Sequence, residues 1–481
     1  MNNKNKLKEN IIYNALYQVL ILIIPLLTMP YLTRVLTVDQ LGINSYTISI
    51  VQLFLILSFF GIKNYGGREI ALLRDNVERN KGFWSLWFIQ IFWSIVSYLI
   101  LLVTIPFLFE EYRTFMIIQG MLILVNAAEI SWFFVGIEEL KRVVVRNTTI
   151  KLLVTMLIFI LVRDSSDFMI YISLNVVSTL VGNMVLIKSL RQYISKPIID
   201  LNDIWRHMKK SSVFLLPQLA TLIYTTFDRT ILGTLSTMEQ VGFYDQAQKI
   251  VRVAIGLISS VGLAIMPRMT MYVRDNDWGG FETLFSHLIK NMMLISFYIV
   301  LIIMCTSHTF VYWFFGEAYA SVGSLMQLTA IIGICIPFAT ILWNTLLIPM
   351  RQDKIAIKSA VYSALISLTF NIILIGIFKL GALGAVITLC IAEMYGMLYR
   401  VYYADKYYSL KKYYVPFFKY VVILLIVTSI IRILTVSLAP TFITTVIQGL
   451  GASALYVLGL TVIEREFVVS TIKTLKLKFK R

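Results

Sequence analysis

Charged and amide side chains fall in this sequence where long apolar runs leave little room for them, and there they line up. Gln218, Thr221, Thr225 and Asp228 recur at i, i+3, i+7 and i+10 with Arg229 beside them, the spacing of one helical face. Asp245, Lys249, Arg252, Gly256 and Ser259 form a second stripe, and Ser45, Ser49 and Gln52 a third that is polar but uncharged. Such groups are costly inside hydrocarbon, so they face a wet cavity or a partner. If the two charged stripes sit on neighbouring helices of a hairpin, Asp228 and Lys249 lie at similar depth, about 10 Å below its end at 1.5 Å per residue. Two readings stay open: an ion pair that ties helices together, or a cavity in which Arg229 and Arg252 remain in excess and attract an anion. Gln18, Gln52, Gln218 and Thr225 add hydrogen-bonding capacity. Arg34 adds a cation after Pro25 and Pro30, prolines that can bend a gating helix.

Bond-making chemistry finds no comparable support. His207, His287 and His308 lack the spacing of a zinc pair, and no Gly-rich Lys-Ser/Thr loop is present to cradle a nucleotide. Cys305, Cys335 and Cys390 lie in apolar runs and read as small buried hydrophobes. No metal or cofactor is expected, and no enzymatic activity.

The elements that must position these groups are membrane helices. Of 481 residues 58% are hydrophobic and 14% charged, against about 25% charged in soluble proteins. The apolar runs read as about fourteen spans, with the first at 10–33, the second at 41–61, the fourth at 114–135, the seventh at 212–235, the eighth at 244–266 and the last two at 415–438 and 441–463. The loops between them leave no room for a soluble catalytic domain. The net charge of +17 is lopsided: roughly 32 of the 43 Lys and Arg fall on the side of the N-terminus, whereas the outer loops hold Arg34, Arg113, Arg163 and Lys379. Both termini are therefore expected in the cytoplasm, and the basic excess is a topology signal rather than a nucleic-acid footprint. Lys4, Lys6 and Lys8 precede a run too long for a secretory signal, which reads as a retained first helix.

An internal repeat organises the spans. At an offset of about 200 residues Asp39-Gln40-Leu41-Gly42 falls on Glu239-Gln240-Val241-Gly242, Arg74-Asp75-Asn76 on Arg274-Asp275-Asn276, and Gln18 on Gln218. Six spans fit in that offset, so the copies share topology and are related by an axis along the membrane normal. The expectation is an all-α integral membrane protein of about fourteen transmembrane helices: two six-helix lobes related by a pseudo-two-fold axis, plus two extra C-terminal helices. The boundaries read as 1–190 for the first lobe, 191–211 for a basic linker and 212–404 for the second lobe. Residues 405–481 supply the added spans and a tail with Lys473, Lys476, Lys478, Lys480 and Arg481. The stretch from Lys188 to Lys210 either lies on the anionic inner leaflet or serves only as a topology signal. Twin lobes suit alternating access to a midplane site.

Other polar residues invite plainer readings. Glu129, Lys151, Lys290 and Glu393 stand alone or near cytoplasmic ends, where snorkelling or helix packing accounts for them. Gly381 and Gly384 suit close helix packing. Tyr31, Tyr46, Trp132 and Tyr224 could stack on sugars or belt the interface. The mixed charges Arg68, Glu69, Arg74, Asp75, Glu78 and Arg79 read as a solvated cytoplasmic helix with internal ion pairs. The sequon Asn147-Thr148-Thr149 falls on the cytoplasmic side and is discounted.

Several motifs in order resemble the bacterial oligosaccharide flippases of polysaccharide biosynthesis, the O-antigen and capsule repeat-unit exporters of the multidrug/oligosaccharidyl-lipid/polysaccharide superfamily. They are Pro30-Tyr31-Leu32-Thr33-Arg34-Val35-Leu36 with Gly42, and Gly66-Gly67-Arg68-Glu69-Ile70-Ala71. Next come Ile130-Ser131-Trp132-Phe133-Phe134 with Gly136-Ile137-Glu138, and Asp228-Arg229-Thr230-Ile231-Leu232-Gly233 with Val241-Gly242-Phe243-Tyr244. The last is Gly381-Ala382-Leu383-Gly384-Ala385 with Glu393. The resemblance implies movement of a polyprenyl-pyrophosphate-linked oligosaccharide across a bacterial cell membrane through a cavity between lobes, with the last two spans serving the lipid tail. Membrane lipids, a polysaccharide polymerase and glycosyltransferases are the implied partners. Arg34 and Asp228-Arg229 carry over from the motifs, whereas Lys249 and Arg252 rest on the stripe. Glu129 stands where relatives often have Asp. A multidrug extruder, a peptidoglycan-precursor flippase and a membrane polymerase are the alternatives. The first span has no mid-membrane carboxylate for a coupling cation, which counts against the extruder, and the short outer loops count against the polymerase.

Overall fold

The computed structural model of the protein describes residues 3–73 and 75–463, with the side chains of 3–16 and 257–264 and of Val19, Pro217, Ala220, Tyr224 and Ile463 set aside. The side chains of Lys4, Lys6, Lys8, Tyr224 and Ser259, together with Arg74 and the basic tail 473–481, therefore lie outside the described residues. Among the described residues every regular element is helical. Eleven helical stretches among the described residues are long and apolar enough to cross a membrane. They match eleven of the about fourteen expected spans. The other three differ. Span 10–33 has Leu20–Val35 as its described apolar part, 212–235 is broken into two short helices, and 244–266 lies inside one longer helix.

By contacts the chain divides into two compact units, Met1–Gly242 and Phe243–Arg481. The first begins with α1 (Asn3–Val35), continuous through Pro25 and Pro30. Then come α2 (Val38–Phe59), α3 (Ile62–Leu72), α4 (Asn76–Leu108), α5 (Arg113–Asn126) and α6 (Ser131–Gly136). They are followed by α7 (Leu140–Leu161), α8 (Phe168–Leu190), α9 (Leu201–Ser212), α10 (Leu215–Thr225) and α11 (Phe227–Leu235). The charged stretch after Gly66 is not one solvated helix. Chain direction changes at Leu73, and Asp75 instead caps α4, accepting from Val77 N at 2.9 Å and Glu78 N at 3.1 Å.

The motif glycines explain how this unit closes. A Cβ at Gly66 would press on the Trp132 ring at 2.8 Å, and one at Gly136 on the Gly67 carbonyl oxygen at 2.7 Å. Small residues let α3 and α6 approach backbone to backbone. Around that contact Ile62, Tyr65, Phe83, Leu86, Trp132 and Phe133 form a buried core. Trp132 is thus core, not a platform for sugars. Tyr31 is likewise spent on packing, donating to the Val162 carbonyl at 2.6 Å and lying 4.7 Å from the Phe159 ring.

The repeat shows at the helix starts. Thr37 and Gln40 form a capping box at α2, and Thr237 accepts from Gln240 N at the start of α12 (Met238–Arg274). The glycines four residues on are reciprocal. A Cβ at Gly42 would collide with the Met238 carbonyl oxygen, and one at Gly242 would sit 2.6 Å from the Val38 carbonyl oxygen.

In the second unit α12 continues from Phe243, followed by α13 (Trp278–Phe314), α14 (Val322–Thr329), α15 (Ile332–Leu342), α16 (Asp353–Asn371), α17 (Gly381–Ala404), α18 (Lys411–Thr435) and α19 (Phe442–Ile463). Gly384 lets α17 meet the backbone of Leu374, and Gly381 takes a positive φ of 54°. The two added helices are fastened to α13 by polar contacts. Thr309 donates to Gln448 at 2.6 Å, Gln448 to Thr435 at 2.8 Å, and Tyr456 to the Leu294 carbonyl at 2.8 Å. Hydrogen bonds of this kind hold helices together where lipid gives no hydrophobic drive.

Candidate functional site

In the first unit the seventh span is bent at its polar centre. Thr226, with φ −136° and ψ −27°, separates α10 from α11. Thr225 bonds back to the Thr221 carbonyl at 2.8 Å, a pattern that bends helices. The stripe expected through Gln218, Thr221, Thr225 and Asp228 therefore does not run on one continuous helix. Gln218 turns back to the Phe214 carbonyl at 3.0 Å. Asp228 is buried in the first turn of α11, where the helix dipole favours a carboxylate, and Arg229 beside it is half-buried.

α11 is held against α2 by hydroxyls. Ser49 and Thr230 share a hydrogen bond of 2.7 Å, Tyr46 and Thr234 one of 3.3 Å, and Gly233 leaves room for the Tyr46 ring. Ser49 and Tyr46 are thus occupied by the neighbouring helix, and Gln52, one turn further along α2, is half-buried. Gln18 and Arg34 are exposed on α1, with Arg34 donating to the Pro30 carbonyl at 2.7 Å.

Lys249 and Arg252 belong to the second unit. Lys249 pairs at 2.5 Å with Asp245 on its own helix, and Asp245 is almost fully buried. Arg252 donates to Gln248 at 3.0 Å, and Gln248 in turn bonds Tyr244. Asp245, Gln246 and Gln248 make the start of α12 a buried polar face, denser in amides than the stripe Asp245, Lys249, Arg252 foresaw.

Two polar clusters escaped the sequence reading. Asn44, Gln119, Tyr171, Asn175 and Thr179 line a cavity of about 330 Å³ between α2, α5 and α8. Gln119 donates to Asn44 at 2.8 Å, while its buried Oε1 has no partner among the described atoms. An uncharged cavity of amides and hydroxyls with one tyrosine can hydrogen-bond a sugar. The signal was present as Asn44 and Gln119 inside apolar runs, but uncharged amides at unrelated positions carry no stripe.

The second cluster sits where the fourth span, read as one run at 114–135, breaks between α5 and α6. Glu129 there accepts from Ser131 N at 2.7 Å. Arg146 of α7 reaches the break, donating to Ser131 Oγ at 2.7 Å and Asn183 Oδ1 at 2.8 Å, with Glu129 at 3.4 Å. Gln90 donates to the Asn126 and Glu129 carbonyls at 2.5 and 2.8 Å and accepts from Trp132 at 2.9 Å. Asn183 closes the circuit on the Val125 carbonyl at 2.9 Å. A buried network of this kind supports the opened backbone of a broken span. Glu129 is part of helix packing, as its plainer reading held.

The linker folds as α9, docked on α3 and α4. Lys81 pairs with Asp200 and Asp203 at 2.8 and 2.5 Å, and buried His207 bonds Tyr65 at 2.8 Å. Burial pushes His207 below its usual range, opposed by the nearby Glu69 carboxylate. Leu201 and Trp205 face outward, with Lys209 over the Trp205 ring at 5.1 Å.

The fold is similar to that of two solved membrane transporters. It matches a lipid II flippase, MurJ, in an inward closed conformation with TM-score 0.70 at 15% identity over 95% of this chain and 99% of that one. It matches an inward-facing multidrug resistance MATE transporter of the MOP superfamily with TM-score 0.58 at 15% identity over 82% and 99%. The chain belongs to the polysaccharide biosynthesis protein family, whose sequence pattern it fits over residues 7–273. A Shigella dysenteriae protein named "Putative O-antigen transporter" is 24% identical over 82% of this chain and 98% of its own length. An Escherichia coli K12 protein of the same name is 24% identical over 81% and 95%.

Proposed function

We propose that the protein is a flippase that carries a polyprenyl-pyrophosphate-linked oligosaccharide repeat unit from the cytoplasmic to the outer leaflet by alternating access. It serves assembly of O-antigen, capsule or a related exopolysaccharide, in the bacterial cell membrane with both termini in the cytoplasm. In this reading the lobes are 1–190 and 212–404. The linker 191–211 lies along the inner leaflet with Leu201 and Trp205 toward lipid, and 405–481 serves the lipid tail. Membership of the polysaccharide biosynthesis family supports the substrate class. The observation that carries the mechanism is the bent, polar seventh span with Asp228 and Arg229 at its break, because interrupted membrane helices mark transporter binding sites.

Arg229, Lys249 and Arg252, with Arg34, attract the pyrophosphate, and Gln18, Gln52, Gln218 and Thr225 bond the sugars. The amide cavity around Gln119 is a further sugar seat. The protein makes and breaks no covalent bond in this cycle. Glycosyltransferases supply the lipid-linked unit and a polymerase consumes it outside.

The test is reconstitution in liposomes with a fluorescent lipid-linked oligosaccharide. Arg229→Ala and Arg252→Ala each should slow flipping at least tenfold, the cost of about 1.4 kcal/mol of lost stabilisation. Parental rates in both would remove the anion site. Lipid II offered in the same vesicles separates a peptidoglycan-precursor flippase from this assignment.

A further inference from the structure

Outside the polar groups assigned to transport, the first unit carries a cavity of about 550 Å³ between the beginning of α7 and the end of α8. One end is cationic: Lys141, Arg142 and Arg146 line it, against the single carboxylate of Glu139, which sits 3.5 Å from Arg142. The other end is apolar, with Val145 and Val185 roughly half exposed beside Ile150. From Lys141 to Ile150 the α7 face covers about 14 Å at 1.5 Å per residue. That length fits one phosphate headgroup and the upper part of a hydrocarbon chain.

Two features point to an anion at the cationic end. Arg146 has only 8% of its side chain exposed, and while its terminal nitrogens hold Ser131, Asn183 and Glu129, its buried Nε has no partner among the described atoms. α7 also starts without a side-chain cap, since Glu139 makes no capping bond, so the positive end of a 22-residue helix opens beside the cavity. Lys188 and Arg191 flank it on the α8 side in sequence.

We propose that this cavity binds an anionic phospholipid of the inner leaflet, with its phosphate among Lys141, Arg142 and Arg146 and its acyl chain along Val145, Ile150 and Val185. Basic pockets between membrane helices on the cytoplasmic side recognise such headgroups. The ligand is a resident bilayer lipid rather than cargo, and it braces the α7–α8 pair from outside while Arg146 braces the α5–α6 break from within. The site stands independently of the transport assignment.

Native mass spectrometry of the purified full-length protein, titrated with phosphatidylglycerol or with phosphatidylcholine of the same chains, reads the site directly. The parent should take up one phosphatidylglycerol at least fivefold more tightly than the Lys141→Gln/Arg142→Gln variant, with phosphatidylcholine uptake equal in both. Val185→Trp, an exposed change that fills the apolar end without touching a charge, should weaken the same uptake. Unchanged phosphatidylglycerol affinity in both variants overturns the proposal, as does an equal loss of phosphatidylcholine. Displacement of the bound lipid by polyprenyl pyrophosphate at matched concentration overturns it too, because the cavity then serves the transported lipid.

Discussion

His207 stands almost fully buried on α9 with Tyr65 at 2.8 Å and Glu69 at 3.9 Å, and Asp203, Arg206 and Lys210 of its own helix nearby. Burial lowers its pKa in the folded protein, so the unfolded chain binds the proton more readily. Stability from the neutral ring is present above the unfolded value near 6.5 and is lost as pH falls through the lower folded value. Thermal unfolding in detergent should therefore show a midpoint that drops between pH 7.5 and 5, and His207→Gln should flatten that drop. An unchanged slope in the variant assigns the acid sensitivity elsewhere. Arg146 is the more costly residue to lose. Its replacement by Met leaves Glu129 without its cationic partner and should destabilise by about 3–5 kcal/mol, measured as loss of monodisperse protein on heating. None of this was readable from residue type: Arg146 looks like a cation near the start of an apolar run and His207 like an ordinary member of the basic linker, and only the helices meeting around them show otherwise.

At the scale of elements, close glycine contacts decide which helices touch. Gly42 has no room for a Cβ against Met238, and the same holds for Gly136 against Gly67 and Ile70. Gly42→Val and Gly136→Val should each cost about 1–3 kcal/mol through overpacking, seen as a lower unfolding midpoint, whereas Gly449→Ala meets open space and should be neutral. The motifs around Gly66, Trp132 and Gly136 were visible in the sequence as motifs. Their purpose, joining α3 to α6, was not, because a motif states residue type and order but not which surface receives it. The breaks at Thr226 and between Asn126 and Ser131 were hidden for a related reason. Apolar runs continue across them, and hydropathy does not register a change of backbone direction.

For the whole molecule, the proposed cargo moves roughly two negative charges outward, and an inside-negative potential contributes about 2.3 kcal/mol per charge per 100 mV in that direction. A potassium diffusion potential of that sign should speed outward flipping in proteoliposomes, and its collapse should return the rate to the unpolarised value. Potential-independent flux would mean that the charge does not cross the field with the substrate. Replacing Gln119 by Leu tests the sugar seat in the same vesicles: a higher half-saturating concentration with little change in the maximal rate is expected from lost headgroup bonding.

The sequence by itself determined the membrane class, most spans, the repeat at Gly42 and Gly242, and the family, because hydrocarbon imposes a composition and length that a chain cannot disguise. It also marked Asp228, Arg229, Lys249 and Arg252 as expensive residues in need of a reason. The tertiary structure decided the partners: Lys249 with Asp245 along one helix, Ser49 with Thr230 across two, Arg146 with Glu129 at a broken span. Hydrogen bonds and ion pairs act over about 3 Å, and which groups come that close depends on helix rotation, bends and backbone approach, quantities that no one-dimensional pattern carries.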